Sequence, residues 1–167
     1  MRAIIRLYKE DNKMKFKCPL ILVNNINVSR DFYENVLNQK IKYNFGENIM
    51  YDGDFSIQLK SHFANMITIK QDYIKTKSND FELYFEEENI NSFTKRLNET
   101  NKINYIHRLI EHPWGQRVIR FYDPDMHIIE VGESMESVVK RFLNQGLSVE
   151  ETSKRTQHPI EFVRQCL

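Results

Sequence analysis

Glu130 stands in the run Ile128-Ile129-Glu130-Val131, where strand alternation puts Ile128 and Glu130 on one side and Ile129 and Val131 on the other. A carboxylate held among aliphatic residues acquires a raised pKa and can accept a proton or anchor a ligand by hydrogen bonding. The bland reading is that Arg117, Arg120 or Lys60 pairs with it. Trp114, between Pro113 and Gly115 on a hairpin turn, is the aromatic residue best placed to touch a ligand. Other aromatics (Phe45, Tyr51, Phe55, Phe81, Tyr84, Phe85, Phe121 and Tyr122) are enough to line an apolar pocket, although core packing explains most of them. The five histidines, at 62, 107, 112, 127 and 158, show neither H-x-x-x-H nor H-E-x-x-H spacing and read as solvated loop or hairpin residues. Cys18 and Cys166 lie near opposite ends without metal-type spacing, and neither marks a reactive thiol or a disulfide. G-x-S-x-G, a phosphate-cradling glycine loop and a dinucleotide fingerprint are all missing. Nucleophilic catalysis, phosphoryl transfer and nicotinamide redox chemistry therefore lose support.

The elements that must position these groups belong to a chain of 167 residues, one domain by length and long enough for a sizeable core. With 41% hydrophobic and 28% charged residues, five Gly and four Pro, disordered and low-complexity classes are excluded. A formal charge of +1 gives no field to gather nucleic acid or anionic lipid. Apolar runs such as 19–23 are too short to span a bilayer, and the first residues lack a signal-peptide core, so the expected location is cytoplasmic.

Residues 1–13 carry mixed charge and read as an optional leader. From Lys15 to Val23 the pattern predicts a buried strand, ended by Asn24-Asn25. A helix follows with Asn27 as N-cap and Val28, Phe32, Tyr33, Val36 and Leu37 on one stripe. Strands are expected at 40–45, 48–51 and 55–60, and a short one at Met66 to Lys70. The order then restarts with a strand at Phe81 to Phe85, a helix at Ile90 to Leu97, and strands at 103–110, 116–122 and 127–131. Residue echoes accompany this repeat: Tyr51-Asp52-Gly53-Asp54 is mirrored by Tyr122-Asp123-Pro124-Asp125. Two β-α-β-β-β modules, about 14–78 and 79–133, would each leave a sheet face bare, and pairing them around a shared cavity solves this economically.

Three stretches carry a family resemblance. Val23-Asn24-Asn25-Ile26-Asn27-Val28-Ser29-Arg30-Asp31-Phe32-Tyr33 resembles the strand-to-helix signature of the vicinal-oxygen-chelate superfamily, which holds glyoxalases, bleomycin-resistance proteins and extradiol dioxygenases. Phe121 to Glu130 resembles its closing F-x-D-P-D-G-x-x-x-E hairpin, and His112-Pro113-Trp114-Gly115-Gln116 the turn before it. The resemblance covers about 15–133. It implies an α+β fold in which two βαβββ modules pair into an incomplete barrel. It also implies that any metal-binding set would fall on Cys18, near Gln58, near Asp80 and on Glu130, of which only Glu130 keeps the family residue. One soft thiolate among oxygen donors, with no histidine, suits no common divalent ion. The expectation is therefore no cofactor and no resident metal, with Cys18 a small core residue, Gln58 bonding across strands and Asp80 capping a loop.

Residues 134–167 lie beyond the resemblance and read as helices. Met135, Val138, Val139, Phe142 and Leu143 form one stripe, Gly146 ends that helix, Ser148 to Glu151 makes a capping box, and Pro159 opens the last helix. The tail has a helix-turn-helix rhythm, but its second helix offers only Arg164 beside Glu161, too little basic surface to read DNA. The functional expectation is binding of a small, partly apolar or aromatic molecule in the barrel cavity by Gln58, Asp80, Trp114 and Glu130, with Glu130 as the catalytic candidate, in a homodimer. Two alternatives stand beside it: a metal-dependent lyase, isomerase or dioxygenase-like enzyme with an atypical ligand set, and a regulatory module whose tail binds DNA or protein.

Overall fold

The computed structural model describes residues 14–100 and 102–167; the leader at 1–13 lies outside the described residues. β1 (Leu20–Val23) leads into α1 (Ile26–Asp31), which widens into a π-helical turn at Phe32–Val36. Then come β2 (Ile41–Asn44), β3 (Asn48–Tyr51), β4 (Ser56–Leu59), α2 (Lys60–Met66) and a 3-10 turn at Gln71–Tyr73. The second module repeats the order with β5 (Glu82–Glu87), α3 (Ile90–Glu99), β6 (Asn104–Glu111), β7 (Arg117–Tyr122) and β8 (Ile128–Glu133). The sheets have equivalent orders, β1-β4-β3-β2 and β5-β8-β7-β6. In each, the first and last strands pair in parallel and the rest antiparallel, so β1 and β5 are both edges. This is the α+β pair of βαβββ modules expected from the sequence.

Several local expectations need correction. The first strand starts at Leu20, not Lys15: Pro19 has no N–H for a ladder, and its carbonyl accepts from Ser56 N at 3.0 Å. Asn25, not Asn27, caps α1, its side chain accepting from Asn27 N and Val28 N. Val28 is half exposed, and Ser29 is buried in its place, bonded to Asp125 Oδ2 at 3.2 Å. The π turn then rotates Phe32, Tyr33 and Leu37 inward. Met66 to Lys70 is no strand. Both edges of β4 are taken by β1 and β3, and the segment turns back through Thr68 at φ 60°.

The main core lies between the outer helices and the sheets. Ile21, Val23, Ile49, Tyr51, Ile57, Ile119, Phe121, Ile129 and Val131 meet Phe32, Tyr33, Phe93 and Leu97 there. Alternation consequently sends Gln58, Arg120 and Glu130 to the opposite, concave faces. The modules are tied by side chains: Asp125 Oδ1 accepts from Asn24 N at 3.0 Å, Tyr33 Oη donates to Asp123 Oδ2 at 2.9 Å, and Phe32 meets Phe121 edge-on.

The tail forms α4 (Met135–Asn144), α5 (Val149–Thr156) and α6 (Ile160–Gln165). The capping box is present on α5, and Pro159 stands one position before α6 as its N-cap. Val139, Val163 and Cys166 build a small second core, with Leu143, Val149 and Phe162 around it. Glu133, at the end of β8, is almost fully buried and clamped by two arginines. Arg117 donates through Nε and Nη2 at 2.9 and 2.7 Å, and Arg141 from α4 through Nε and Nη2 at 3.2 and 2.9 Å. Gly115 takes φ +89°, and a Cβ there would lie 2.3 Å from Phe142, so this turn and α4 fit only without a side chain.

Candidate functional site

Three strands of the second sheet put one polar stripe on its concave face. Register sets Tyr84, Glu130 and Arg120 side by side, with Glu82 next to Ile128. Arg120 is the hub: Nη2 pairs with Glu130 Oε2, Nε donates to Glu82 Oε2 at 2.9 Å, and Nη1 reaches His107 Nε2 at 3.2 Å. A guanidinium only donates, so His107 Nε2 accepts and its Nδ1–H bonds the Arg108 carbonyl at 2.8 Å. Glu130 is buried, whereas Glu82 is exposed. His112 is shifted down by burial first and by the charge of Arg120 next. Of the pairings open to Glu130, the structure selects Arg120.

Toward the β6–β7 turn the stripe continues through Gln116. Its Nε2 donates to Tyr84 Oη at 2.8 Å, and its Oε1 accepts from Trp114 Nε1 at 3.2 Å. Trp114 stacks on His112 with ring centroids 4.4 Å apart. Tyr84 Oη donates to Glu86 at 2.8 Å, and burial followed by that bond pushes its phenol up to about 12, against the opposing bond from Gln116. Gly132 makes room here, since a Cβ would lie 2.9 Å from Gln116 Nε2 and 3.0 Å from the Tyr84 ring. Trp114 and Glu130 thus belong to one surface.

Gln58 and Asp80 are carried by other segments, β4 and the approach to β5. Gln58 is buried in the first sheet, where its Nε2 donates to the Glu47 carbonyl and to His62 Nδ1, both at 2.9 Å, and its Oε1 accepts from Asn48 at 3.1 Å. Asp80 is exposed and bonded by Ser78 Oγ; it lines an open hollow of about 360 Å³ with Phe81, Glu82 and Ile128. Cys18 is not the core residue expected: it precedes β1, is only partly buried, and its Sγ lies 3.5 Å from Ser56 Oγ. These residues do not fit a divalent ion. Arg120 holds the positive charge beside Glu130, and among the described residues no group of three His, Cys, Asp or Glu side chains is disposed to ligate one.

His127, read from sequence as a solvated hairpin residue, is instead firmly placed. Its Nδ1 lies 2.8 Å from Asp123 Oδ2, and Asp123 is buried, also accepting from Tyr33 Oη and, through Oδ1, from Asp125 N and His127 N. Burial alone would lower the imidazole pKa, but the bond to Asp123 and the charges of Asp123 and Asp125 outweigh it and raise it. The same surroundings push the Tyr33 phenol well up, burial first and Asp123 next. The available signal was the residue four positions after Asp123 in a tight turn, but it gave no direction for the ring.

Residues 16–136 match the model of the glyoxalase-like domain. A solved protein of unknown function from Agrobacterium tumefaciens is 33% identical, with a TM-score of 0.65 over 75% of this chain and 98% of that one. A glyoxalase/bleomycin resistance protein/dioxygenase from Nocardioides (13% identity, TM-score 0.59) aligns over 74% of this chain and 86% of its own. A fosfomycin resistance protein from Mesorhizobium loti (13%, 0.52) aligns over 72% and 92%. These last two share the fold. No curated protein matches the chain. Among the described residues, no helix is long and apolar enough to cross a membrane.

Proposed function

Because the chain belongs to the glyoxalase-like domain family, we propose that it binds a small, partly apolar or aromatic molecule on the concave face of its second sheet without a tightly held metal. The observation that carries this reading is Arg120, whose guanidinium is shared by Glu82, Glu130 and His107 where family chemistry would call for a cation. Two carboxylates against one guanidinium leave the stripe net negative, and the half-exposed Tyr84 ring supplies an apolar surface beside it. That combination favours a ligand with hydrogen-bond donors or a positive charge on an aromatic body. Glu130 anchors the donor, Gln116 and Tyr84 orient it, and Trp114 closes the end of the stripe. Homodimerisation is part of the proposal, supported by the stacked, exposed Tyr43 on edge strand β2 and Phe45 just after it.

The test pairs elemental analysis of protein purified without chelators with titration by small aromatic amines and phenols, read by Trp114 fluorescence. Expected are less than stoichiometric zinc, nickel, iron and manganese, saturable quenching by at least one amine, and a tenfold or greater weakening in Glu130→Gln. A stoichiometric ion lost with Glu130→Gln, or quenching indifferent to that change, overturns it.

A further inference from the structure

The cleft between the two sheets holds chemistry that the concave stripe does not use. β1 lines it as a sheet edge, and together with the connection at 75–78 it borders a cavity of about 320 Å³, within the range of small-molecule sites. Leu20 and Leu22 line it from β1, and Phe81 from the approach to β5. Its charged side chains are all potential cations: Lys75, Lys77 and His127, with no acidic residue among the lining groups. Among the described residues, neither lysine is ion-paired.

His127 is the built part of this arrangement. The Asp123 carboxylate, fully buried, accepts from Tyr33 Oη, two backbone N–H groups and His127 Nδ1, so the ring is held in one orientation. Among the described residues Nε2 has no hydrogen-bond partner, and His127 lines the cavity. The arrangement repeats the logic of a histidine positioned by a buried carboxylate, with a cationic rim and an apolar floor.

We propose that this cleft binds a small carboxylate with an apolar body, its head between His127 Nε2 and the Lys75 and Lys77 ammoniums, and its body against Leu20, Leu22 and Phe81. Protonation of His127 turns Nε2 into a charged donor, and Asp123 and Asp125 favour that form despite burial. The other ionisable groups around the ring are Tyr33 from the π turn after α1 and the two lysines of the connection; Asp80, before β5, is engaged with Ser78. The site is separate from the concave stripe, so either can fail without the other.

Calorimetry with octanoate, octanol and acetate, on the full chain, tests it. Octanoate is expected to fill one site at least tenfold more tightly than octanol or acetate, and to weaken as pH rises from about 6 to about 8. The Lys75→Gln/Lys77→Gln double variant, altered at exposed positions, is expected to lose tenfold or more, and Lys95→Gln on α3 to lose nothing. His127→Gln is expected to flatten the pH dependence, and nitrogen NMR of the wild type to shift the His127 Nε2 resonance on binding. Equal affinity for octanoate and octanol, a double lysine variant that binds like wild type, or an unmoved His127 resonance overturns the proposal.

Discussion

Replacing Glu133 by Gln is the sharpest probe of how the tail is joined to the sheets. The carboxylate takes four N–H···O contacts of 2.7 to 3.2 Å from Arg117 and Arg141. Each oxygen accepts once from each arginine, so glutamine keeps one bond to each and turns an NH₂ against the other two donors, and two charge-assisted bonds are lost. Each is worth about 1.5–3 kcal/mol. The guanidiniums are 22% and 20% exposed, so water recovers part of that. The expected loss is about 2–3 kcal/mol, or roughly 4–12 °C in Tm for a chain of this size. Burial alone would raise the Glu133 carboxyl; the hydrogen bonds from Arg117 and Arg141 outweigh it and hold it below the usual range. A depressed acid stabilises above its unfolded value of about 4.3, and that contribution disappears as pH falls through the folded value. Urea unfolding followed by Trp114 fluorescence should therefore show a wild-type advantage at neutral pH that shrinks in acid. A difference below about 0.5 kcal/mol at neutral pH, or one that persists unchanged in acid, would refute the reasoning.

Other expectations follow from the same structure. His127 has a raised folded-state pKa, so its bond to Asp123 contributes fully below about 6.5 and its contribution fades as pH rises through the higher folded value; urea midpoints across that range should decline in wild type and stay flatter in His127→Gln. Gly115→Ala combines a positive φ with a 2.3 Å approach to Phe142, and a destabilisation of about 2–4 kcal/mol is expected; calorimetric melting checks it, and a neutral result would mean that α4 is free to move. Truncation after Glu133 removes the covering of Gly115 and half the Glu133 clamp, and should lower Tm or leave the product insoluble, measured against the full chain.

The repeat was legible because each module writes its helix and strands in local periodicity: Ile90, Phe93 and Leu97 line one face of α3, and Ile129 and Val131 alternate with Glu130. Glu130 was legible as a buried carboxylate for the same reason, and Arg120 stood among its candidate partners. The residues between 60 and 73 were not. Met66-Ile67-Thr68-Ile69 has strand-forming side chains, but whether such a run becomes a strand depends on a free neighbouring edge, which is a tertiary fact. Val28 fell off its stripe because the helical count assumes 3.6 residues per turn, and the π turn at Phe32–Val36 breaks that count. His127 was opaque because its significance lies in Asp123 and Tyr33, and the latter joins it only when the modules meet.

Among the described residues no backbone ladder crosses between the two sheets; Asp125 with Asn24 and Ser29, Asp123 with Tyr33, and aromatic pairs such as Phe55 with Phe85 do the joining. A ladder can change only by whole residues, about 3.3 Å at a time, and a one-residue slip exchanges the two faces of a strand. A seam of side chains has no such step. Single substitutions along it can tilt or spread one half against the other by fractions of that distance while both sheets keep their registers. The width of the cleft is accordingly open to gradual adjustment over evolutionary time.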